Sequence, residues 1–422
     1  MKILVVGSGG REHALCRSFS KSTRVSKLFC ANGNAGITEI AACVPIRPDD
    51  VTGLVEFAVQ NAIDMTFVGG ETPLALGIVD EFESRGLKIV GPNKLAAQLE
   101  SSKSVAKDFM SRHGIPTANY FVAHSPQSAI AELEGGSFGD ELTPVVVKAD
   151  GLAAGKGVVV AATRAEAIEA IKSLENLVGA EATEKIILEE CLVGKEVSLL
   201  MFADGEDFAL MPAVRDHKRI GEGDTGPNTG GMGTFTDDIL LTDAQLREIS
   251  ETIIRPTLNG CIEEGFRFRG ILFLGLMMTA AGPMLLEYNV RFGDPETQAI
   301  LVRLDTDLID ICDAMLDGTL SDLQIKWKPG SSACIVLAAK GYPANSQTGD
   351  IINGLNEAAI ADIEVFHAGT ANGADDTFLT AGGRVLGVTA TGDDLHSALE
   401  KAYAAVGSIS WDGMQYRRDI GK

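Results

Sequence analysis

Leu286-Glu287-Tyr288-Asn289-Val290-Arg291 places a carboxylate, an amide and a guanidinium at every second position, so an extended strand would carry all of them on one face. Two hard oxygen donors beside a cation suit a magnesium–phosphate centre, because magnesium takes oxygen ligands and leaves part of its shell to phosphate oxygens. A solvated strand face would show the same alternation. Phe292-Gly293-Asp294-Pro295-Glu296-Thr297 then turns sharply, which sets Arg291 at a loop mouth.

Other stretches point the same way. Between Val145 and Val158 two β-rich runs flank a glycine loop, Gly151 to Gly157, with Lys148 and Lys156 to supply charge. The spacing is not that of a Walker A loop: Gly157 stands where Ser or Thr would hold magnesium, and a β-run follows in place of a helix. A plain hairpin with exposed lysines is the alternative. Arg215-Asp216-His217-Lys218-Arg219 is a dense basic patch suited to a carboxylate or phosphate. No second histidine lies at ligand spacing from His217, so a hydrogen-bonded structural role is expected for it. Gly7-x-Gly9-Gly10-Arg11-Glu12, between a strand and a helix, could cradle a phosphate on backbone N–H groups. A dinucleotide fold would prefer glycine in place of Glu12 and an acid after the second strand, where this chain has Ala31-Asn32.

The elements that must position these residues follow from periodicity. Residues 1–102 alternate strands (Ile3 to Val6, Lys27 to Cys30, Met65 to Val68, Lys88 to Val90) with amphipathic helices, a parallel α/β pattern. Each strand end carries a glycine loop, and the loops at 7–10, 33–36 and 69–70 could line one pocket. A helix is expected over Ser101 to His113, and a second unit begins there. Beyond Pro144 come strands, a helix over Arg164 to Leu177 and a strand over Lys185 to Leu188. Glu196 to Asn289 reads as strand-rich, interrupted by a polar loop from Gly221 to Gly233. After residue 326 short strands (Ala333 to Ala338, Glu364 to His367, Arg384 to Thr389) and a helix over Leu395 to Val406 make a third unit. The domains expected are therefore 1–102, 103–326 with a small lobe at about 115–192, and 327–422.

At 422 residues the chain is too long for one core, and its 45% hydrophobic and 22% charged residues are ordinary globular composition. A net charge of −22 argues against nucleic acid and anionic membrane as partners. The seven cysteines are scattered without a C-x-x-C pair and read as reduced, mostly buried thiols. No run is long enough to span a membrane or to form a signal-peptide core, so a cytoplasmic setting is expected.

Taken together, GSGGREHA at 7–14, GNAG at 33–36, VVKADGLAAGKGV at 146–158, DHKRIGEGDTGPNTGGMG at 216–233, EYNVRFGDPETQ at 287–298, GGRVLGVTA at 382–390 and YRRDIG at 416–421 closely resemble the phosphoribosylamine–glycine ligase family of ATP-grasp enzymes. The resemblance runs through nearly the whole chain. It implies an α/β (mixed α+β) fold: a Rossmann-like N-terminal domain, a two-lobed ATP-grasp region and a small C-terminal α/β domain. ATP would lie between the lobes, with Lys103 and Lys148 near phosphate, Gly155 in the flap, Glu189, Glu190 and Leu192 in the adenine hinge and Glu196 on the ribose. Glu287 and Asn289 match magnesium (or manganese) ligands. Asp216, Gly230, Gly231, Arg291 and Gly293 fall where glycine should sit, and Gly9, Gly10, Asn34 and Glu71 where phosphoribosylamine should. Arg291, Lys148 and Asp216 would carry the catalysis. The implied reaction makes glycinamide ribonucleotide, ADP and phosphate through an acyl phosphate, with small-molecule partners only and a monomer as the working unit. Gly70 and Asn32 stand where the family commonly has proline, and Ile271 to Met278 lacks the acidic metal ligand that many grasp enzymes carry on that strand. A ligase with a different acceptor amine, a non-catalytic nucleotide sensor and a dehydrogenase are the rival readings.

Overall fold

The computed structural model describes residues 1–151, 157–179, 184–358 and 362–422. Gly155 and Lys156, with most of the expected flap, lie outside the described residues.

Ile3, Leu4, Val5 and Val6 are all fully buried, because Leu4 and Val6 enter one core while Ile3 and Val5 enter another. A strand covered on both faces shows a continuous apolar run instead of alternation. It is central to a five-stranded parallel sheet in the order Ala42–Val44, Lys27–Asn32, Lys2–Gly7, Met65–Val68, Ile89–Val90. The edge strand Ala42–Val44 has too few residues to leave a periodic signal and was not expected. Because Lys27–Asn32 and Met65–Val68 flank Lys2–Gly7, their carboxyl ends meet: Gly33 N–H donates to Gly7 O at 3.1 Å and Gly69 N–H to Val6 O at 3.0 Å. Both cores also take residues from the central region, such as Leu199 and Leu272 in one and Phe202 and Phe292 in the other.

A second, four-stranded antiparallel sheet runs Tyr120–Ala123, Ile186–Glu190, Val145–Ala149, Val158–Ala161, with its own core against helices Pro126–Glu134 and Arg164–Val178. Val145–Ala149 and Val158–Ala161, on either side of the expected glycine loop, pair antiparallel. The expected helix at 101–113 is divided: Gln98–Ser101 ends at Ser102, whose hydroxyl accepts from Val105 N–H and starts Lys103–Arg112.

The third sheet has nine strands, and its path runs Gly282–Asn289, Arg269–Thr279, Lys195–Asp204, Val214–Asp216, Gly233–Thr236, Ser331–Ala338, Arg384–Gly392, Ile363–His367. The C-terminal strands therefore extend the central sheet, joined where Gly233–Thr236 pairs with Ser331–Ala338. Two expectations change. The loop from 221 to 233 holds part of a hairpin, Arg219–Gly221 against Thr225–Asn228, too short and polar to show as strands. The strand-rich stretch also contains helices Asp243–Ile249 and Arg255–Glu263, whose apolar faces complete the first core. All seven cysteines are free, and among the described residues no helix is long and apolar enough to cross a membrane.

The first N-terminal helix, Gly10–Ser20, meets the C-terminal strand Ile363–His367 at two buried histidines. His13 Nδ1 accepts from His367 N–H at 2.8 Å, and His367 Nδ1 lies 3.1 Å from Thr370 Oγ1. Protonating His13 would turn that acceptor into a donor facing a donor. Burial, reinforced by the neighbouring His367, pulls His13 down to about 3, and burial pulls His367 down to about 4. Unfolded imidazoles titrate near ~6.5, so below that pH the unfolded chain binds more protons than the fold. The stabilisation is complete above pH ~6.5 and declines as the pH falls toward the folded values. Urea unfolding is expected to show a loss of about 1–2 kcal/mol per histidine between pH 7 and pH 5. His13→Asn, which keeps an acceptor but does not titrate, should flatten that dependence; identical curves would remove His13 from the account.

Candidate active site

The strand Gly282–Asn289 brings Glu287 opposite Gly275 of Arg269–Thr279, and a side chain at 275 would crowd Glu287, whose Cγ would lie 3.1 Å from the added carbon. The strand that lacks the expected acid is thus the one that makes room for Glu287. Burial works against the ionised form of Glu287, but Lys218, Lys148, Lys103 and Arg291 outweigh it and hold the carboxyl below its usual range. Asn289 Oδ1 accepts from Arg291 Nη2 at 3.1 Å. Arg291 also meets Glu100 at 2.6 Å and Glu71 at 3.2 Å, which joins the N-terminal domain to the central strand. Glu100 in turn accepts from Val290 N–H at 2.8 Å.

Lysines converge from several elements: Lys148 from the small-lobe sheet, Lys103 and Lys107 from the helix Lys103–Arg112, and Lys218 from beyond Val214–Asp216. Lys148 lies 2.8 Å from Glu189 Oε1, and Lys107 lies 3.1 Å from Glu189 Oε2. Lys103 donates to Gly151 O at 3.2 Å, where the hairpin loop begins. Lys218 pairs with Glu196 at 3.0 Å; burial would lower Lys218, but Glu196, Glu287 and Asp216 raise it instead. The side chain of Glu189, expected in the hinge, is therefore committed to lysines. Its neighbour Glu190 points outward and takes Asn119 Nδ2 at 2.8 Å. The strand ends at Glu190, so the backbone at Cys191 and Leu192 is what it leaves beside the lobe junction.

Asp216 ends Val214–Asp216, and its Oδ1 is buried without a hydrogen-bond partner. Burial, with Glu296 close by, pushes Asp216 well above the usual carboxylate range, so a cation there would be strongly favoured. Gly231 closes against it: with φ +110°, an added carbon would lie 2.7 Å from Asp216 Oδ1 and 2.6 Å from Pro295 Cδ. The preceding residue is gripped by the C-terminal strands, since Gly230 N–H donates to Tyr342 Oη at 3.0 Å and Arg384 donates to both Gly230 O and Asp294 O. Gly293 lies at the foot of the same turn, where Thr297 Oγ1 reaches back to Gly293 O.

The N-terminal loops close on Glu12. Its Oε2 accepts from Gly9 N–H at 2.6 Å and its Oε1 from Arg11 Nε at 2.6 Å. Arg11 Nη1 then donates to Phe292 O at 2.8 Å. Asn34 spends its amide on Ser8 O and His367 O, each at 2.8 Å, and its Oδ1 on Ile37 N–H at 3.1 Å, so the side chain fastens loops together.

The fold gathers Lys103, Lys148, Glu287, Asn289 and Arg291 around one cleft, with Glu196 and Asp216 linked to it through Lys218 and with Glu71 reaching Arg291. Sequence reasoning missed Glu100, Lys107, Tyr342 and Arg384. Lys107 sits four residues after Lys103, on the same helix face, and Arg384 lies inside GGRVLGVTA, so both left a trace; Glu100 left none. His217 is buried beside Phe235, its Nε2 accepting from Gly421 N–H at 3.4 Å while its Nδ1 has no hydrogen-bond partner among the described residues, so the expected hydrogen-bonded role is met at one nitrogen only.

Family models described as phosphoribosylglycinamide synthetase match in succession: the N domain over residues 1–100, the ATP-grasp (A) domain over 101–297 and the C domain over 332–422. The phosphoribosylamine–glycine ligase of Xanthomonas campestris pv. campestris is 47% identical over 426 residues, covering 100% of this chain and 97% of that protein. That of Vibrio parahaemolyticus is 46% identical over 428 residues, covering 100% and 98%. The solved phosphoribosylamine–glycine ligase of Thermotoga maritima superposes with TM-score 0.85 at 32% identity, covering all of both chains. Biotin carboxylase from Campylobacter jejuni, at 16% identity, TM-score 0.71 and coverage of 98% and 92%, shares the fold alone.

Because a methyl group on Gly69 would lie 2.1 Å from Glu12 Oε1, Gly69→Ala must displace the buried carboxylate from Gly9 N–H. A destabilisation of about 1–3 kcal/mol is expected, as for other overpacked interiors. In a Glu12→Ala background, where the obstructing atoms are gone, the same substitution should cost little. Equal costs in both backgrounds, measured by urea unfolding, would show that Glu12 does not set this spacing.

Proposed function

The chain belongs to the phosphoribosylglycinamide synthetase family and uses ATP to join glycine to 5-phosphoribosylamine in purine biosynthesis, and on that premise we propose how its residues divide the work. A carboxylate is a poor acyl donor. Glycine's oxygen therefore attacks the γ-phosphorus of ATP, giving glycyl phosphate and ADP, and the amine then displaces phosphate to give glycinamide ribonucleotide. The observation that carries this reading is the buried pairing of opposite requirements at one site: a cationic set around Glu287 for phosphate, and an Asp216 carboxyl with one oxygen unpartnered for an ammonium.

In this proposal Lys103 and Lys148 neutralise phosphate charge as it shifts during transfer. The backbone at Glu190 to Leu192 receives adenine, and Glu196 the ribose. Asp216 takes the ammonium of glycine and Arg291 its carboxylate, with Gly230, Gly231 and Gly293 shaping the pocket. Gly9, Gly10, Asn34 and Glu71 line the phosphoribosylamine side. An amine is nucleophilic when neutral, so no dedicated base is invoked.

A divalent ion fits Glu287 and Asn289: the carboxyl is kept ionised and the amide offers a hard oxygen. Among the described residues no group of three His, Cys, Asp or Glu side chains could hold a metal, so phosphate oxygens and water would complete the shell, as magnesium prefers and manganese accepts. When bound, the ion would screen phosphate charge. Residues 1–102, 103–326 (small lobe about 115–192) and 327–422 serve as the working domains. In this proposal a monomer is the working unit, and the free thiols suit the cytoplasm.

Glu287→Gln keeps the size of the side chain and removes its charge, and turnover is expected to fall at least about a hundredfold, the scale of one strong electrostatic contact to a transition state. Near-normal turnover at saturating magnesium would discard the metal assignment. The intermediate has its own signature. With glycine labelled by ¹⁸O in its carboxylate, one labelled oxygen should appear in inorganic phosphate for each product formed, and unlabelled phosphate at the normal rate would rule out glycyl phosphate.

A further inference from the structure

Lys107 is almost fully buried on the helix Lys103–Arg112, one turn beyond Lys103. A buried ammonium is costly unless it is paired and its protons are used. Its Nζ lies 3.1 Å from Glu189 Oε2 and donates to Thr117 Oγ1 at 2.7 Å. Thr117 passes the chain on, donating to Leu285 O at 2.6 Å on the strand that carries Glu287. The other oxygen of Glu189 faces Lys148 at 2.8 Å. A buried carboxylate is thus shared between two lysines, one reaching the cleft and one behind it.

The charge balance gives the arrangement a consequence. Glu189 and Lys148 alone would form a neutral pair, and the carboxylate would compete with any phosphate for the ammonium. With Lys107 on its far side the triad keeps one surplus positive charge, which Lys148 presents to the cleft beside Glu287. We propose that Lys107 is a positioning residue for phosphoryl transfer: acting through Glu189, it orients Lys148 and frees its charge for the phosphates of ATP. The burial of all three side chains keeps water from screening the arrangement. Burial brings Lys107 down to about 8, with Glu189 opposing the shift and Lys148 adding to it.

This rests on the reading that Lys148 meets phosphate, which Lys148→Met tests by itself: an unchanged kcat/KM for ATP would overturn that premise and the inference with it. The proposal is read from ADP release with glycine and freshly made phosphoribosylamine. Lys107→Met should lower kcat/KM for ATP at least about tenfold while KM for glycine stays within about twofold, the scale of a lost charged contact. Adding Glu189→Gln to that variant removes the competing carboxylate, restores the surplus charge and should recover at least about threefold of the loss. A merely structural lysine predicts the opposite, since a second buried change should not repair the first. Lys107→Gln and Lys107→Gln/Glu189→Gln, which keep a hydrogen bond to Thr117, give the same comparison if the methionine variants do not fold. A double variant no better than the single one, with both melting cooperatively, overturns the proposal, as does wild-type kcat/KM in Lys107→Met or Lys107→Gln.

Discussion

Arg291 stands between Glu71 and Glu100 with Asn289 on its remaining edge, and the cleft around it is organised by the cost of keeping so many charges out of water. No ion there can be added alone. Glu287 stays ionised because Lys218, Lys148 and Lys103 surround it, and those lysines are held in turn by Glu196, Glu189 and the Gly151 carbonyl. Ligand binding therefore becomes an exchange of partners. On the proposed assignment a substrate carboxylate at Arg291 would displace a protein oxygen, and phosphate at Lys148 would meet a lysine whose partner Glu189 is already balanced by Lys107. Such exchange favours the group that offers more charge at the right place, which is how a site distinguishes a reacting geometry from mere occupancy.

Rigid support for these exchanges comes from the continuity of the large sheet. Gly233–Thr236 pairs with Val214–Asp216 on one side and with Ser331–Ala338 on the other, so the strand bearing Asp216 and the C-terminal strands are one body. Arg384 and Tyr342 can then hold both polar groups of Gly230 from a fixed base. A loop rich in glycine would otherwise pay heavily in entropy for a single conformation. Its order derives from neighbours and not from its own sequence.

This explains what could be read from the chain beforehand. The parallel sheet was legible because Ile3 to Val6 is a continuous apolar run and Met65 to Val68 is broken only by Thr66, each followed by glycine, and the C-terminal helix Leu395–Val406 because its spacing repeats. The E-x-N-x-R strand was legible because alternation survives in any strand. Side-chain destinations were less so. Asn34 and Glu189 sit in recognisable motifs, yet the first ties Ser8 to His367 and the second ties Lys107 to Lys148, contacts across hundreds or tens of residues that no local pattern encodes. The hairpin at 219–228 and the helices at 243–263 were hidden for a different reason: the hairpin is tied to the C-terminal segment, with Arg417 donating to Arg219 O at 3.1 Å and Gly223 N–H donating to Asp419 at 2.7 Å, and the helices are held by packing into the first core, none of which a local pattern encodes.

Glu12 shows how a single side chain redirects a fold. Glycine loops at the carboxyl ends of parallel strands, with a helix beginning beside them, form a ready anion site. Here Gly9 N–H is already taken by Glu12 and Arg11 N–H lies 3.3 Å from Asp294 Oδ2, so two donors at the helix start are met by the protein's own carboxylates. A pyrophosphate seated on those two donors would meet two negative charges, which weighs against a dinucleotide as the spacing does, and the phosphate of a phosphoribosylamine lined by Gly9 and Gly10 would have to sit away from them. The same carboxylate aims Arg11 at Phe292 O, beside the turn that follows Arg291. The residue that closes the pocket to one class of ligand is thus also the one that couples the N-terminal domain to the ATP-grasp centre, so a change at Glu12 alters ligand choice and domain alignment together.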